Sequence, residues 1–273
     1  MEQDRFVRGW KKMQEIDGEA GEKVEDNLKD ISGDLGRYII EYSFGDVYSR
    51  EGLTLKQKEI AVVAALTAMG NASPQLRVHL HGALNVGCSE DEVKEVILQM
   101  AVYAGFPAAI NGMNALKEVL SECREERKEK DAAVSSIESA GQKSRESRYE
   151  TGMKWLAKLD PDQVGRLQES FGAFAPDLAR YAIEWGYGDI YSRPGLAIEL
   201  RQIATIAALA ALGTAAPQLK FHINAGLNLG LTKEEIIEIM ILMTVYAGFP
   251  AALNGVFAAR DVLEERAKIE GKQ

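Results

Sequence analysis

The sequence predicts an all-α protein made of two tandem copies of one helical unit, and three observations carry that prediction. The first is an internal repeat. At an offset of 143 residues the chain matches itself without a gap from Gly9/Gly152 to Val119/Val262. Glu41-Tyr-Ser-Phe-Gly-Asp-Val-Tyr-Ser-Arg50 answers Glu184-Trp-Gly-Tyr-Gly-Asp-Ile-Tyr-Ser-Arg193, and Tyr103-AGFPAA answers Tyr246-AGFPAA. A repeat this long is a duplicated domain, because solenoid repeats are much shorter. The second is helical spacing: Leu76, His79, Leu80, Ala83 and Leu84 fall on one helix face, and Leu219, His222, Ile223, Gly226 and Leu227 repeat it. The third is the lack of any segment with the period-two alternation of a half-buried strand.

Each unit then reads as about six helices. Gln3 to Ile16 is amphipathic. Residues 17–30 form a second helix whose start is weakened by Gly18 and Gly21. A further helix begins at Asp34, with Leu35, Tyr38, Ile39 and Tyr42 on one side. Phe44 to Gly52, rich in Gly, Ser and Arg, reads as irregular. Leu55 to Gly70 is a helix closed by glycine. Ser73-Pro74 reads as an N-cap followed by a first-turn proline, opening the helix that carries His79 and ends at Gly87. Ser89 with Glu92 makes a capping box, as Thr232 does with Glu235. That helix runs to Tyr103, Gly105-Phe106-Pro107 breaks it, and a long last helix starts at the proline. The predicted units are 1–130 and 149–273. Residues 131–148, polar and serine-rich, form the expected linker.

Composition narrows the partners. A net charge of −9 argues against nucleic acid or an anionic membrane surface as the main partner. Cys88 and Cys123 are the only cysteines, and neither has a twin in the other copy, so a reducing cytoplasm is the expected compartment. The charged opening MEQDRFVRGWKK does not read as a signal peptide. The most apolar run, Ile239 to Leu253, is too short to span a bilayer.

The twinned histidines, His79 and His222, are the first candidates for chemistry. An imidazole on an inward face needs a partner or a task, so each is either a satisfied core residue or an acid–base group. Duplication copies structural residues too, so recurrence does not choose between them. His79 and His81 point about 200° apart on a helix, and no metal site is expected from three histidines.

The run Tyr-Ser-Arg-Pro-Gly-Leu (191–196), then Arg-Gln-Ile-Ala-Thr-Ile-Ala (201–207), Leu-Lys-Phe-His (219–222), Asn228-Leu-Gly-Leu-Thr232 and Tyr246-AGFPAA resembles the carboxymuconolactone decarboxylase family. The second copy is closer to the pattern; in the first, Glu51 stands where the pattern has proline and Cys88 lies in the turn. The resemblance implies the AhpD-like helical fold in both units. Relatives commonly form hexameric rings of single units, so it also implies a homo-oligomer, a trimer of tandem chains holding six units.

The family's redox branch carries Cys-x-x-Cys ahead of the histidine. Here those places hold Ala72 and Gln75, and Ala215 and Gln218. Without a thiolate there is no peroxide nucleophile, which argues against a peroxiredoxin or alkylhydroperoxidase activity. The decarboxylase branch implies a cofactor-independent carbon–carbon lyase acting on a small carboxylated lactone or related acid, with no metal and no organic cofactor. The resemblance then places Arg193 and Arg50 on the substrate carboxylate, Tyr191 and Tyr48 as donors to the developing oxyanion, and His222 and His79 as proton-transfer groups.

Each assignment has a structural rival. The arginines could cap or bridge helix ends, and the tyrosines could pack beside the Gly-rich turn. Glu59 sits where thiol-dependent relatives often carry glutamate, but its twin is Gln202, which favours a solvated or structural role. His81 reads as surface or pocket rim, and Tyr103 and Tyr246 as core. The alternative for the whole chain is a duplicated scaffold or binding protein without catalysis.

Overall fold

The computed structural model of the chain describes residues 4–126 and 145–271, and among them there is no strand. The first unit holds α1 (Arg5–Ile16), α2 (Glu19–Tyr38), α3 (Leu55–Met69), α4 (Ser73–Asn85), α5 (Glu90–Tyr103) and α6 (Phe106–Glu126). The second holds α7 (Arg145–Leu159), α8 (Gln163–Phe171), α9 (Pro176–Tyr181), α10 (Ile198–Leu212), α11 (Ala216–Asn228), α12 (Lys233–Tyr246) and α13 (Gly248–Glu270). Of the expected linker, residues 131–144 lie outside the described residues, and 145–148 already belong to α7.

The expected helix starts are present. Ser89 and Glu92 bond each other's backbone, and so do Thr232 and Glu235. Thr54 and Gln57 add a third capping box. Ser73 itself is helical and Ala72 is the N-cap, one position earlier than its proline signal indicates. The two helices read on either side of residue 31 join as α2, with a break at Ser32 (φ −159°, ψ 81°). Its twin Ala175 separates α8 from α9.

The passage expected to be irregular is mostly regular. Ile39–Tyr48 and Ala182–Tyr191 are π-helical, ten residues each. Such wide turns are rare and occur mostly as short insertions, often at functional sites. Here the backbone of each one lies directly against the first helix of its unit. A Cβ on Gly9 would sit 2.0 Å from the Ile40 carbonyl oxygen, and one on Gly152 2.1 Å from that of Ile183. Only glycine permits that approach. It delivers Tyr48 and Tyr191, both 1% exposed, into the interior.

The two units share one core. α3 packs most extensively against α10, its own twin, and both are buried all round: Lys58 to Ala68 in α3 and Arg201 to Ala210 in α10. Helices buried on every side belong at the centre of a large body, and the polar groups these two bring there, Lys58, Glu59, Arg201 and Gln202 among them, are buried too. The end of α12 reaches the first π-helix, while α5 reaches the second. Tyr42 stacks on Phe249, and Phe106 packs on Trp185 in the twin contact. The apolar face of α12, more than a single unit can cover, is thus partly covered by the other unit. No helix among the described residues is long and apolar enough to cross a membrane.

Candidate active site

The two inward histidines lie in twin settings that differ in charge. In the first copy, His79 Nδ1 lies 3.0 Å from Glu59 Oε2, one helix over on α3. The other oxygen of Glu59 accepts from Tyr48 Oη at 2.8 Å. With its single proton committed there, Tyr48 accepts from Tyr246 Oη at 2.7 Å. Tyr246 comes from the end of α12 and stands edge-on to His79, ring centres 5.0 Å apart. Each site is thus completed by a tyrosine of the other unit, since Tyr103 does the same for His222.

Burial opposes a charge on His79, but Glu59 and then Asp17 outweigh it and raise its pKa above the ordinary value. Glu59 is fully buried, so the solvated role expected of it is excluded. Its two bonds orient the imidazole and fix Nδ1 as the donor. Nε2 makes no hydrogen bond to the described residues, and the ring borders a cavity of about 550 Å³. Met13, Asp17, Phe44, Gln75, His79 and Tyr246 are among its walls, and α2 closes one side. A cavity of this size suits a small organic ligand.

Asp17, at the end of α1, escaped the sequence reading. It is 5% exposed, and its Oδ1 has no hydrogen-bond partner. Burial pushes its pKa up to about 7, with the Glu59 charge adding to the rise and His79 opposing it. A Cβ built on Gly82 would meet Asp17 Oδ1 at 2.9 Å and Glu59 Oε2 at 3.1 Å. The absent side chain therefore leaves room for two carboxyl groups beside one imidazole. The available sequence signal was the repeat itself, which places Asp160 at the twin position.

In the second copy the same places are neutral or tied off. His222 Nδ1 faces the Gln202 amide oxygen at 3.0 Å, and Tyr103 Oη lies 3.3 Å from Nε2. Burial with no compensating charge drives the His222 pKa down to about 3. Tyr191 bonds Tyr103 at 2.7 Å and Thr205 at 3.0 Å. Asp160 accepts from the Asp162 amide, Arg166 and Asn224. Ala225 occupies the place of Gly82.

The two predicted carboxylate-binding arginines are engaged elsewhere. Arg50 Nε lies 2.8 Å and 2.9 Å from the two oxygens of Glu238. Arg193 grips Glu95 at 2.8 Å and 3.0 Å. Both pairs join one unit to the other, and Gly52 and Gly195 leave space for the carboxylate stems, where a Cβ would come within 2.3 Å and 2.7 Å of a Glu Cγ. The Tyr-Ser-Arg-x-Gly motif thus forms an inter-unit clamp. Neither arginine lines the His79 cavity. Arg201, 0% exposed, adds to the second clamp by donating to Glu95 at 2.8 Å.

His81, expected at the surface or a pocket rim, is half-buried with Nε2 3.2 Å from Glu122 Oε2, and it is not among the residues that line the His79 cavity. The Cys88 thiol is buried and pushed up to about 12, chiefly by burial, the opposite of what a reactive thiolate requires.

Fold and site together define a class: a duplicated helical protein whose histidines sit between its two units. The chain belongs to the carboxymuconolactone decarboxylase family, whose profile matches residues 33–118 and again 176–261. It is 33% identical over 122 residues to 4-carboxymuconolactone decarboxylase of Acinetobacter baylyi, covering 44% of this chain and 90% of that one. It is 32% identical over 84 residues to nitrosuccinic acid decarboxylase of Metarhizium robertsii, covering 31% and 58%. Peroxisomal protein 2 of Saccharomyces cerevisiae is 29% identical over 96 residues, covering 35% and 34%.

Proposed function

We propose that the protein is a cofactor-independent decarboxylase of a small carboxylated lactone or related acid, and that the first copy's site performs the reaction. One observation carries this reading: the His79–Glu59 pair is buried yet opens onto a cavity of ligand size. The two decarboxylases among the relatives support the reaction class. Departure of CO2 leaves an electron pair that an unsaturated lactone or nitro group takes up as an oxyanion. His79, held protonated by Glu59, presents Nε2–H and a positive charge where that oxyanion forms, and such donors act most strongly in a water-poor site. Tyr48 holds Glu59 in place, so its role becomes positioning. His222, neutral at physiological pH, has no charge to offer, and with Tyr191 it maintains the twin fold.

The arginines hold the units together in this scheme, and Gln75 and Tyr246 supply the polar cavity wall. The chain works in a reducing cytoplasm, a reading supported by a sequence with two cysteines in all, Cys88 and Cys123, neither of which has a twin in the other copy. It assembles as a trimer of tandem chains. Supporting that is an apolar surface that both copies expose alike: Ile31, Leu35 and Tyr38 match Phe174, Leu178 and Tyr181, all at least 49% exposed.

The test is CO2 release from 4-carboxymuconolactone, nitrosuccinate and a panel of β-keto acids. His79→Gln should lower the rate by about 10²-fold or more, and His222→Gln by less than about threefold. Silence across the panel would instead favour the non-catalytic scaffold, and equal losses in the two variants would remove the assignment to the first copy.

A further inference from the structure

We propose that Asp17 is the acid that protonates the substrate carbon, a catalytic residue of the decarboxylation proposed above and dependent on that reading. Asp17 borders the same cavity as His79 and lies outside the segments matched by the family profile. Its Oδ1 is buried without a partner, which is costly unless the group has a task. The Gly82 gap brings it beside Glu59 and, through Glu59, the imidazole. Its place at the C-terminal end of α1 also disfavours a negative charge. The groups facing it are Glu59 on α3, His79 on α4, and the hydroxyls of Tyr48 and Tyr246, and its pKa of about 7 keeps much of it protonated at neutral pH.

The duplication supplies an internal comparison. Asp160 has the same place but is held by Arg166 and Asn224. In the first copy those positions hold Lys23 and His81, and His81 turns to Glu122. The exchange frees one aspartate, in the copy whose histidine also has a carboxylate partner.

The step balances without a redox partner. The bond between carbon and the departing carboxylate breaks, and CO2 leaves. The electron pair passes into the unsaturated system, where His79 steadies the oxyanion. The pair then returns to carbon, taking the carboxyl proton of Asp17 to close a C–H bond. The Asp17 carboxylate regains a proton from solvent through the cavity.

The experiment compares the full-length protein with Asp17→Asn and Asp17→Glu, using 4-carboxymuconolactone or nitrosuccinate, whichever gives the faster CO2 release. Asp17→Asn should lower kcat by about 10²-fold with KM changed by less than about threefold. The wild-type decline in kcat above about pH 7 should vanish with it. Asp17→Glu should restore part of the rate together with that decline. A carbon-13 NMR titration of the wild-type aspartate carboxyls provides a readout independent of turnover and of the variants' folding: one resonance should titrate near 7. An undiminished rate in a folded Asp17→Asn, or no aspartate titrating above pH 5, overturns the assignment of Asp17 alone. No CO2 from either acid overturns the decarboxylase reading and this assignment with it.

Discussion

At the scale of single residues, a few substitutions between the copies decide the electrostatics. Glu59 against Gln202 gives one imidazole a counter-charge and leaves the other neutral. The Asp17 carboxyl carries a raised pKa of about 7 in the fold, against an unfolded value of 3.8. The folded form therefore holds its proton more tightly, and stability falls as pH rises between those values. His79 is also raised, so its contribution is complete below 6.5 and is lost as pH rises through its folded pKa. Both groups make the protein less stable on the alkaline side. From pH 5 to 7 the Asp17 share is about 2–3 kcal/mol. Urea unfolding at several pH values should show that slope in the wild type and its loss in Asp17→Asn, which should be the more stable protein at pH 8.

Helices decide what those residues can reach. α4 and α11 share a pattern, but Gly82 leaves the space that Ala225 fills. Alanine is the better helix former by roughly 0.5–1 kcal/mol, but the added methyl would crowd Asp17, Glu59 and Ile16 in the core, so Gly82→Ala should lower Tm slightly. It should also displace Asp17 and Glu59 and lower decarboxylation by about 10²-fold, the low end of what an acid–base group contributes. The clamp motif gives a prediction about stability. Glu95→Ala leaves Arg201 buried without its carboxylate, at a cost of about 3–5 kcal/mol, seen as a lower urea midpoint. Glu238→Ala should cost less, because the Arg50 side chain is 47% exposed and solvent can replace its partner.

The helix order was largely legible in the sequence at this scale, because capping boxes, prolines and terminal glycines act through neighbours a few residues away. The π-helical turns were not. They depend on Gly9 meeting Ile40 across a helix pair, a contact between residues far apart in the chain, so a Gly-rich segment read locally looked irregular. The arginines show the same limit: their chemistry suits a carboxylate, but sequence could not say whether that carboxylate was a ligand's or a glutamate of the other unit.

Across the whole molecule, duplication makes one chain serve as its own partner. α3 and α10 form a common core, and tyrosines are exchanged between the sites. Apolar residues remain exposed at matched positions in both units, such as Phe106 with Phe249 and Ile110 with Leu253, each at least 51% exposed. A surface conserved through duplication in this way fits association through both copies. Multi-angle light scattering should give a mass near three times the 30.0 kDa chain; a single-chain mass would remove the proposed trimer.

The sequence by itself determined that the chain is helical and duplicated, that each copy places a histidine on an inward helix face, and that no cysteine stands beside it. Those features are written in spacing and residue type. Only the tertiary structure separated the two histidines, because a pKa depends on which distant side chains share the buried space. It alone brought Glu59, Asp17 and Tyr246 around His79, and left His222 with an amide and a hydroxyl.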